Sequence, residues 1–213
     1  MAWISKRRKD AWSRARYSRQ PSGPRSLVSR PVFETERLHI RRWVESDAPR
    51  VLEIYRDPEV TEHLPECSVS SLPEAEVFLR RRLNSYTRYG PGYGIWAAET
   101  KETRQLVGTV MLKQLPEETG ALTADVEVGW HLARDCWGQG YATEMARGAL
   151  AHGFQRQRET VIFAVTEEEN HRSLAVMKRL GMEHRGQTSA YYGQECVLYA
   201  MTAERWRALS DER

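Results

Sequence analysis

The chain has 213 residues, 29% of them charged, with 32 Lys and Arg against 29 Asp and Glu for a formal net charge of +3. That length supports one well-buried core, and the absence of any apolar run near ~18 residues predicts no membrane-spanning helix. Three scattered cysteines, Cys67, Cys136 and Cys196, exclude a disulfide framework and a Cys-x-x-Cys clip, and the six histidines show no paired ligand spacing. A chain without a metal, in a reducing, cytoplasmic compartment, is therefore expected.

The charge is unevenly spread. Nine of the Lys and Arg but only one acid fall in residues 1–30, so the rest of the chain is net acidic by five. Residues 1–31 read as a basic tail ahead of one domain over 32–213. The tail lacks the apolar h-region of a secretory signal. Its Arg and Ser also suit a mitochondrial transit peptide, but composition favours a disordered arm or an over-long start to the reading frame. Trp3, Trp12 and Tyr17, set between its charges, suit weak contact with RNA or anionic lipid.

From residue 32 the pattern is globular. "RLHIRRW" (37–43) alternates as a first strand, and Ser46 and Asp47 are placed to cap a helix through about Tyr55. "SLPE" (71–74) fits a capping box with Ser71 at the cap and Glu74 three residues on. Ala75, Phe78, Leu79, Arg82, Leu83 and Tyr86 then recur at helical spacing, Arg82 being the one polar interruption, and Gly90–Pro91 stop the helix. "YGIWAAE" and "LVGTVMLK" read as strands joined by a short loop, followed by a third strand, "ADVEVGWHLA" (124–133). A glycine turn leads into a helix over 141–154, in which Ala142, Met145, Ala149 and Phe154 share a face. "ETVIFAV" reads as a buried strand and "NHRSLAVMKRLGM" as a helix stopped by Gly181. Strands at 183–189 and 194–201 close the chain around a Tyr-Tyr-Gly turn. The sum is one α/β (α+β) domain, with a mixed, mostly antiparallel sheet and helices on both faces.

The turn "RDCWGQGYATE" (134–144) carries the chemistry. Two glycines at the mouth of a helix expose backbone amides beside the positive end of the macrodipole, an arrangement suited to a pyrophosphate. The spacing and the missing lysine rule out a Walker loop. A dinucleotide fold fits Gly138 and Gly140, with Glu167–Glu169 where a ribose-binding acid falls, but Thr143 stands in place of the third small residue.

A third reading rests on several stretches in order: "FETERLHIRRWVESDAPRVLEIYRDPEVTEHL", "VEVGWHLARDCWGQGYATE" and "NHRSLAVMKRLGM". Together they resemble the GNAT N-acetyltransferase superfamily, in the branch that acetylates ribosomal-protein N-termini (RimJ/RimL-like), over about residues 32–200. The resemblance implies acetyl-CoA as acyl donor and a primary amine as acceptor, the α-amino group of a peptide or ribosomal protein first. Polyamines, antibiotics and amino acids remain as alternative acceptors. A non-catalytic acyl-CoA sensor and an NAD-dependent oxidoreductase are the other classes, and a homodimer stays open.

By the same resemblance, Glu127 is the base that takes the amine proton. Alternation points it away from Val126 and Val128. Ser173 is implied near the thioester sulfur as a proton donor, and Asn170 as a cofactor contact, although both also suit a plain helix start. Backbone groups of Trp130, His131 and Leu132 are implied to pair with the donor's amides where the strand splays. Arg134, Trp137, Gly138, Gln139, Gly140, Tyr141, Ala142 and Thr143 are implied at the pyrophosphate. Asp135 departs from the family, which has Gln or Arg there, and an acid beside pyrophosphate repels it. Met177 and Lys178 occupy the stretch where other branches carry a tyrosine acid. The acids of segment 56–70, Glu59, Glu62 and Glu66 beside Arg56 and His63, are read as an acidic acceptor wall favouring cationic amines.

Overall fold

The computed structural model describes residues 31–211, so the expectations for the basic tail fall outside the described residues. The chain enters through a short antiparallel hairpin, β1 (Phe33–Glu34) and β2 (Leu38–Arg41). Helices α1 (Ala48–Tyr55), α2 (Pro58–Thr61) and α3 (Leu72–Tyr89) follow. A three-stranded meander comes next: β3 (Gly94–Thr100), β4 (Leu106–Pro116) and β5 (Leu122–Leu132). Then α4 (Tyr141–His152), β6 (Val161–Thr166) and α5 (His171–Leu180) form the one strand–helix crossover and the helix after it. The chain ends in β7 (Glu183–Thr188), β8 (Cys196–Thr202) and α6 (Ala203–Asp211).

The eight strands make one sheet in the order β1-β2-β3-β4-β5-β6-β8-β7, antiparallel throughout except between β5 and β6. A dinucleotide-binding reading needs a doubly wound parallel sheet, and a single parallel pair overturns it.

Period-two alternation sorts β4 onto two covered faces. Val110 lies opposite Trp96, whose ring meets His152 of α4 edge-on at 5.8 Å. Thr109, one residue away and on the other face, bonds the Tyr55 hydroxyl of α1 at 2.6 Å, and Tyr55 packs on Phe78 of α3. Helices α1 and α3 thus cover one face and α4 the other. Trp43, Tyr55 and Trp96 are 2% exposed or less. Burying each large apolar side chain contributes roughly 1.5–3 kcal/mol before ordering costs.

Two helix starts differ from the sequence expectation. Asp47 makes no cap of its own; it is buried, accepting the Val44 amide and both terminal nitrogens of Arg41 at 2.9 Å. A buried guanidinium recruits the nearest carboxylate, and that demand outweighs a single capping bond. At α3, Ser71 occupies the cap position without a side-chain bond to the helix amides, while Glu74 reaches back to the Ser70 amide at 2.8 Å. Pro73 carries no amide for a cap to satisfy, so the acid anchors the residue before.

Candidate active site

The register of β4 with β5 determines which backbone groups β5 leaves free. Pairs run from Gly108↔Leu132 to Gln114↔Val126, and the Ala133 amide donates to the Val107 carbonyl at 2.9 Å. In an antiparallel ladder alternate residues exchange both bonds with one neighbour. Glu127, Gly129, His131 and Ala133 therefore bond toward β4, whereas Val128, Trp130 and Leu132 turn their amides and carbonyls toward β6. There β5 and β6 share a single register pair, Glu127↔Phe163, and then diverge. The gap leaves main-chain donors and acceptors for an extended amide-bearing ligand. His131 is the exception to the expected trio, because its backbone belongs to the β4 ladder.

Past the end of β5, Gly138 (φ +77°) and Gly140 (φ +81°) both take the left-handed conformation that L side chains disfavour. Nothing lies within 4 Å of where a Cβ on Gly138 would stand. Gly140 is the N-cap of α4 and supplies no side chain to its first amides, so they point outward uncapped. Arg37, 102 residues earlier than Gln139, braces this turn. Its Nη1 donates to the Gln139 carbonyl at 3.0 Å, its Nε pairs with Glu144 at 2.6 Å, and its guanidinium lies 4.5 Å over the Tyr141 ring. Burial pushes the Glu144 carboxyl up, but bonds from Thr35 and Arg37 outweigh it and hold the group below its ordinary value.

A cleft of about 1250 Å³ runs from this turn through the strand gap to α3. It brings together Glu127, the Trp130–Leu132 stretch, Trp137, Gly138, the Gly140–Thr143 helix start, Asn170 and Ser173. Arg134 and Gln139 are not in its lining. The Gln139 side chain folds back onto the Asp135 carbonyl at 3.1 Å. Arg134 pairs with Glu59 at 3.1 Å and stacks 4.6 Å from the Trp137 ring, whose other contact is Arg172 at 4.4 Å. The Trp137 indole also donates to the Leu132 carbonyl at 3.0 Å, occupying one of the groups expected to be free for a ligand. Asp135 is drawn off by Arg50, with oxygens at 2.8 and 3.0 Å from Nη2, so its charge is paired.

Glu127 is not a solvated strand glutamate. It is 4% exposed, and its Oε1 accepts from Lys113 Nζ and from the Tyr192 hydroxyl. Lys113 also donates to the Tyr192 oxygen at 2.7 Å. Both bonds to the carboxylate fall on Oε1, leaving Oε2 uncommitted at the cleft that Glu127 lines. Burial and the adjacent Glu127 carboxylate push the Tyr192 phenol well up, so it stays a donor. Tyr192 sits at φ +60° in the β7–β8 loop, a conformation costly for a non-glycine residue and held here by this cluster. Alternation revealed Glu127's direction, but Lys113 and Tyr192 lie 14 and 65 residues away and carry no local signal.

Asn170 accepts the Ser173 amide at 3.1 Å and caps α5, with both residues at the cleft wall. His131 bonds Tyr55 through Nδ1 at 3.1 Å, and burial with Arg82 and Lys113 nearby lowers its pKa to about 3. It is neutral at ordinary pH. The expected acidic wall is not a field of free charge. Glu59 pairs with Arg134, Glu62 with Arg172 at 2.8 Å, and His63 meets Glu167 at 2.6 Å. Opposite charges brought together across the cleft mouth reduce the potential expected to select polycations, Glu66 alone of the three wall acids having no ion pair among the described residues. Among the described residues no group of three or more His, Cys, Asp or Glu is placed to hold a metal, and no helix is long and apolar enough to cross a membrane.

Comparison with known proteins agrees with this geometry. The acetyltransferase (GNAT) domain family matches residues 37–183. An uncharacterized N-acetyltransferase, p20 of Bacillus licheniformis, is 27% identical over 152 residues, covering 71% of this chain and 82% of that protein. The crystal structure of a GNAT-family acetyltransferase from Bacillus anthracis superposes with a TM-score of 0.65 at 24% identity, covering 80% of this chain and 98% of the other. The ribosomal L7/L12 alpha-N-protein acetyltransferase RimL, solved in complex with coenzyme A, gives 0.62 at 18%, covering 82% and 98%. A matched family over residues 37–183, a sheet that opens after Glu127 and a glycine turn at the head of α4 lead to one conclusion: the chain belongs to the GNAT acetyltransferase family and is an acetyl-CoA-dependent N-acetyltransferase.

Proposed function

We propose that the chain acetylates an α-amino group by direct attack within a ternary complex, with Glu127 as the proton acceptor. The observation that carries this reading is a buried carboxylate with one uncommitted oxygen in the cleft that also holds the strand gap and the glycine turn. Acetyl-CoA supplies the acetyl group as a thioester. The Val128 carbonyl and the outward backbone groups of Trp130 suit its pantetheine amides, and the amides after Gly138 and Gly140 suit its pyrophosphate. Glu127 Oε2 takes a proton from the ammonium, freeing the nitrogen lone pair. As the nitrogen bonds to the carbonyl carbon, the C–S bond breaks, the nitrogen gives up its second proton to solvent and the sulfur takes one up. Ser173, at the wall beside Asn170, is the side chain proposed to pass that proton to the sulfur, its hydroxyl being re-protonated from solvent. Lys113 and Tyr192 keep the Glu127 side chain in a single orientation.

A peptide or ribosomal-protein N-terminus and a free amino acid share the α-amino group. RimL's name supports the first acceptor by analogy of fold alone. Three free cysteines, each buried, support a reducing, cytoplasmic setting.

Thiol release from acetyl-CoA with an amine panel tests the reading. Glu127→Gln is expected to lower kcat by ~10²-fold or more. Gly138→Val is expected to weaken acetyl-CoA binding in calorimetry while the protein stays folded. Unchanged kcat in the first variant removes Glu127 from the chemistry, and unchanged affinity in the second removes the turn from the donor site.

A further inference from the structure

Arg82 is a half-buried guanidinium in the cleft wall that makes no ion pair among the described residues. Its Cζ lies 4.7 Å over the Phe78 ring and its Nη2 is 3.6 Å from the Cys67 sulfur. Cys67 and His131, both beside it, are uncharged at ordinary pH. Burial pushes the Cys67 thiol up to about 11, and burial together with Arg82 itself lowers His131 to about 3. Glu66 comes to 3.8 Å of the same sulfur and still forms no ion pair with Arg82. Of the other Lys and Arg lining the cleft, Lys113 is held by Glu127 and Arg172 by Glu62, Arg88 donates to the Gly120 carbonyl at 2.7 Å, and Arg179 is exposed to solvent. A partly desolvated charge without a counter-ion is costly, and one aimed into a cleft is relieved by an anionic ligand.

The position of Arg82 says which ligand. It lies on α3, one turn beyond Phe78, over the sheet face that carries Lys113, Glu127, Gly129 and His131. That is the face toward which Glu127 offers its carboxylate. Between Glu127 and His131 the floor is Gly129, over which the Met111 side chain lies, its Cγ and Sδ 3.0 Å from where a Cβ would stand. Residues 127 and 131 stand roughly 13 Å apart along the strand, and Glu127 and Arg82 line the same cleft.

We propose that the acceptor is a small α-amino acid, its carboxylate held by Arg82 and its amine presented to Glu127. The proposal rests on the acetyl-transfer reading above and narrows its acceptor. A polyamine would set its positive charges against Arg82, with two of the three mouth acids, Glu59 and Glu62, already paired. A peptide N-terminus carries an amide where the free acid has a carboxylate, so it leaves Arg82 without a partner.

The experiment measures thiol release from acetyl-CoA with free L-amino acids, their methyl esters, short peptides and spermidine, in the full chain and in Arg82→Gln and Arg82→Glu. Acetyl-CoA calorimetry is run on each protein. The expected result is a kcat/KM for at least one free amino acid that exceeds its ester's by about tenfold or more, the worth of a charged hydrogen-bonded pair. That ratio is expected to collapse in Arg82→Gln, and Arg82→Glu is expected to shift preference toward the esters and spermidine. Equal rates for acid and ester, a preference for peptides or spermidine in the unaltered chain, or a ratio that survives in Arg82→Gln overturns the proposal. Normal acetyl-CoA binding with no amino acid acetylated also overturns it and leaves the donor site standing. Failure to bind acetyl-CoA would instead sink the acetyl-transfer reading on which it rests.

Discussion

Glu127 and Lys113 are register partners on β5 and β4, and their side chains meet as an ion pair that is 4% and 6% exposed. Such a pair contributes little net stability, because desolvation offsets its attraction, but removing one member strands the other. Lys113→Ala is therefore expected to cost about 3–5 kcal/mol in urea unfolding. The double change Lys113→Met with Glu127→Leu is expected to recover most of that loss without recovering turnover. Stability and activity returning together would show that the pair is only structural.

Tyr192 completes the cluster from the far end of the chain, and its phenol is pushed up by burial and by Glu127. A phenol held protonated cannot be the source of an alkaline limb in the rate profile. Tyr192→Phe is expected to lower kcat while leaving the limb positions of kcat/KM where they were. The sign for stability follows from proton binding: the unfolded phenol ionises near pH ~10 while the folded one does not, so stability falls as pH rises past that point. The Phe variant should lose less on alkaline unfolding. A limb that vanishes in Tyr192→Phe would assign the titration to the phenol after all.

Much of this site could be read in the sequence because it is local. The glycine turn, the helix it opens and the outward direction of Glu127 depend on residues within about a turn or a strand of each other. The partners could not be read, because each depends on sheet register or loop return. Lys113 faces Glu127 only through the β4–β5 ladder, and Arg37 reaches Glu144 only because β1 packs beside α4. Arg82 was visible as a polar break in an apolar face, but the pattern alone does not say that the face borders a cleft. Helix α6 follows β8 without a turn, its cap Thr202 being the last residue of the strand and accepting the Arg205 amide at 3.1 Å, and it buries only Trp206, so its start is masked by the strand pattern. Even the two-residue β1 is too short for periodicity to register.

His131 sets the acid side of stability. Burial, reinforced by Arg82 and Lys113, lowers its pKa to about 3, and burial also lowers that of His152. As pH falls below ~6.5 the unfolded chain takes up protons that the folded chain refuses, so the stability held at neutral pH is lost between there and about 3. Urea midpoints at pH 7, 5.5 and 4 are expected to fall steadily, and His131→Gln should flatten that slope by close to one proton. A slope unchanged in the variant would mean that His131 is protonated in the folded chain.

The pairing of Arg50 with Asp135 bears on donor affinity rather than on stability. Both side chains are partly exposed, so the pair itself is worth at most about 1 kcal/mol. Its effect is on the field at the glycine turn, three residues downstream, where an unpaired carboxylate would oppose a pyrophosphate. Arg50→Ala is expected to weaken acetyl-CoA binding several-fold at low salt, less so near ~0.5 M salt where screening shortens the reach of the charge. Asp135→Asn in the same chain should restore the affinity, because it removes the repulsion that Arg50 had masked. If Arg50→Ala binds acetyl-CoA as the unaltered protein does, the Asp135 charge does not reach the turn. In that event the residue's departure from the family's usual Gln or Arg carries no electrostatic consequence for the donor.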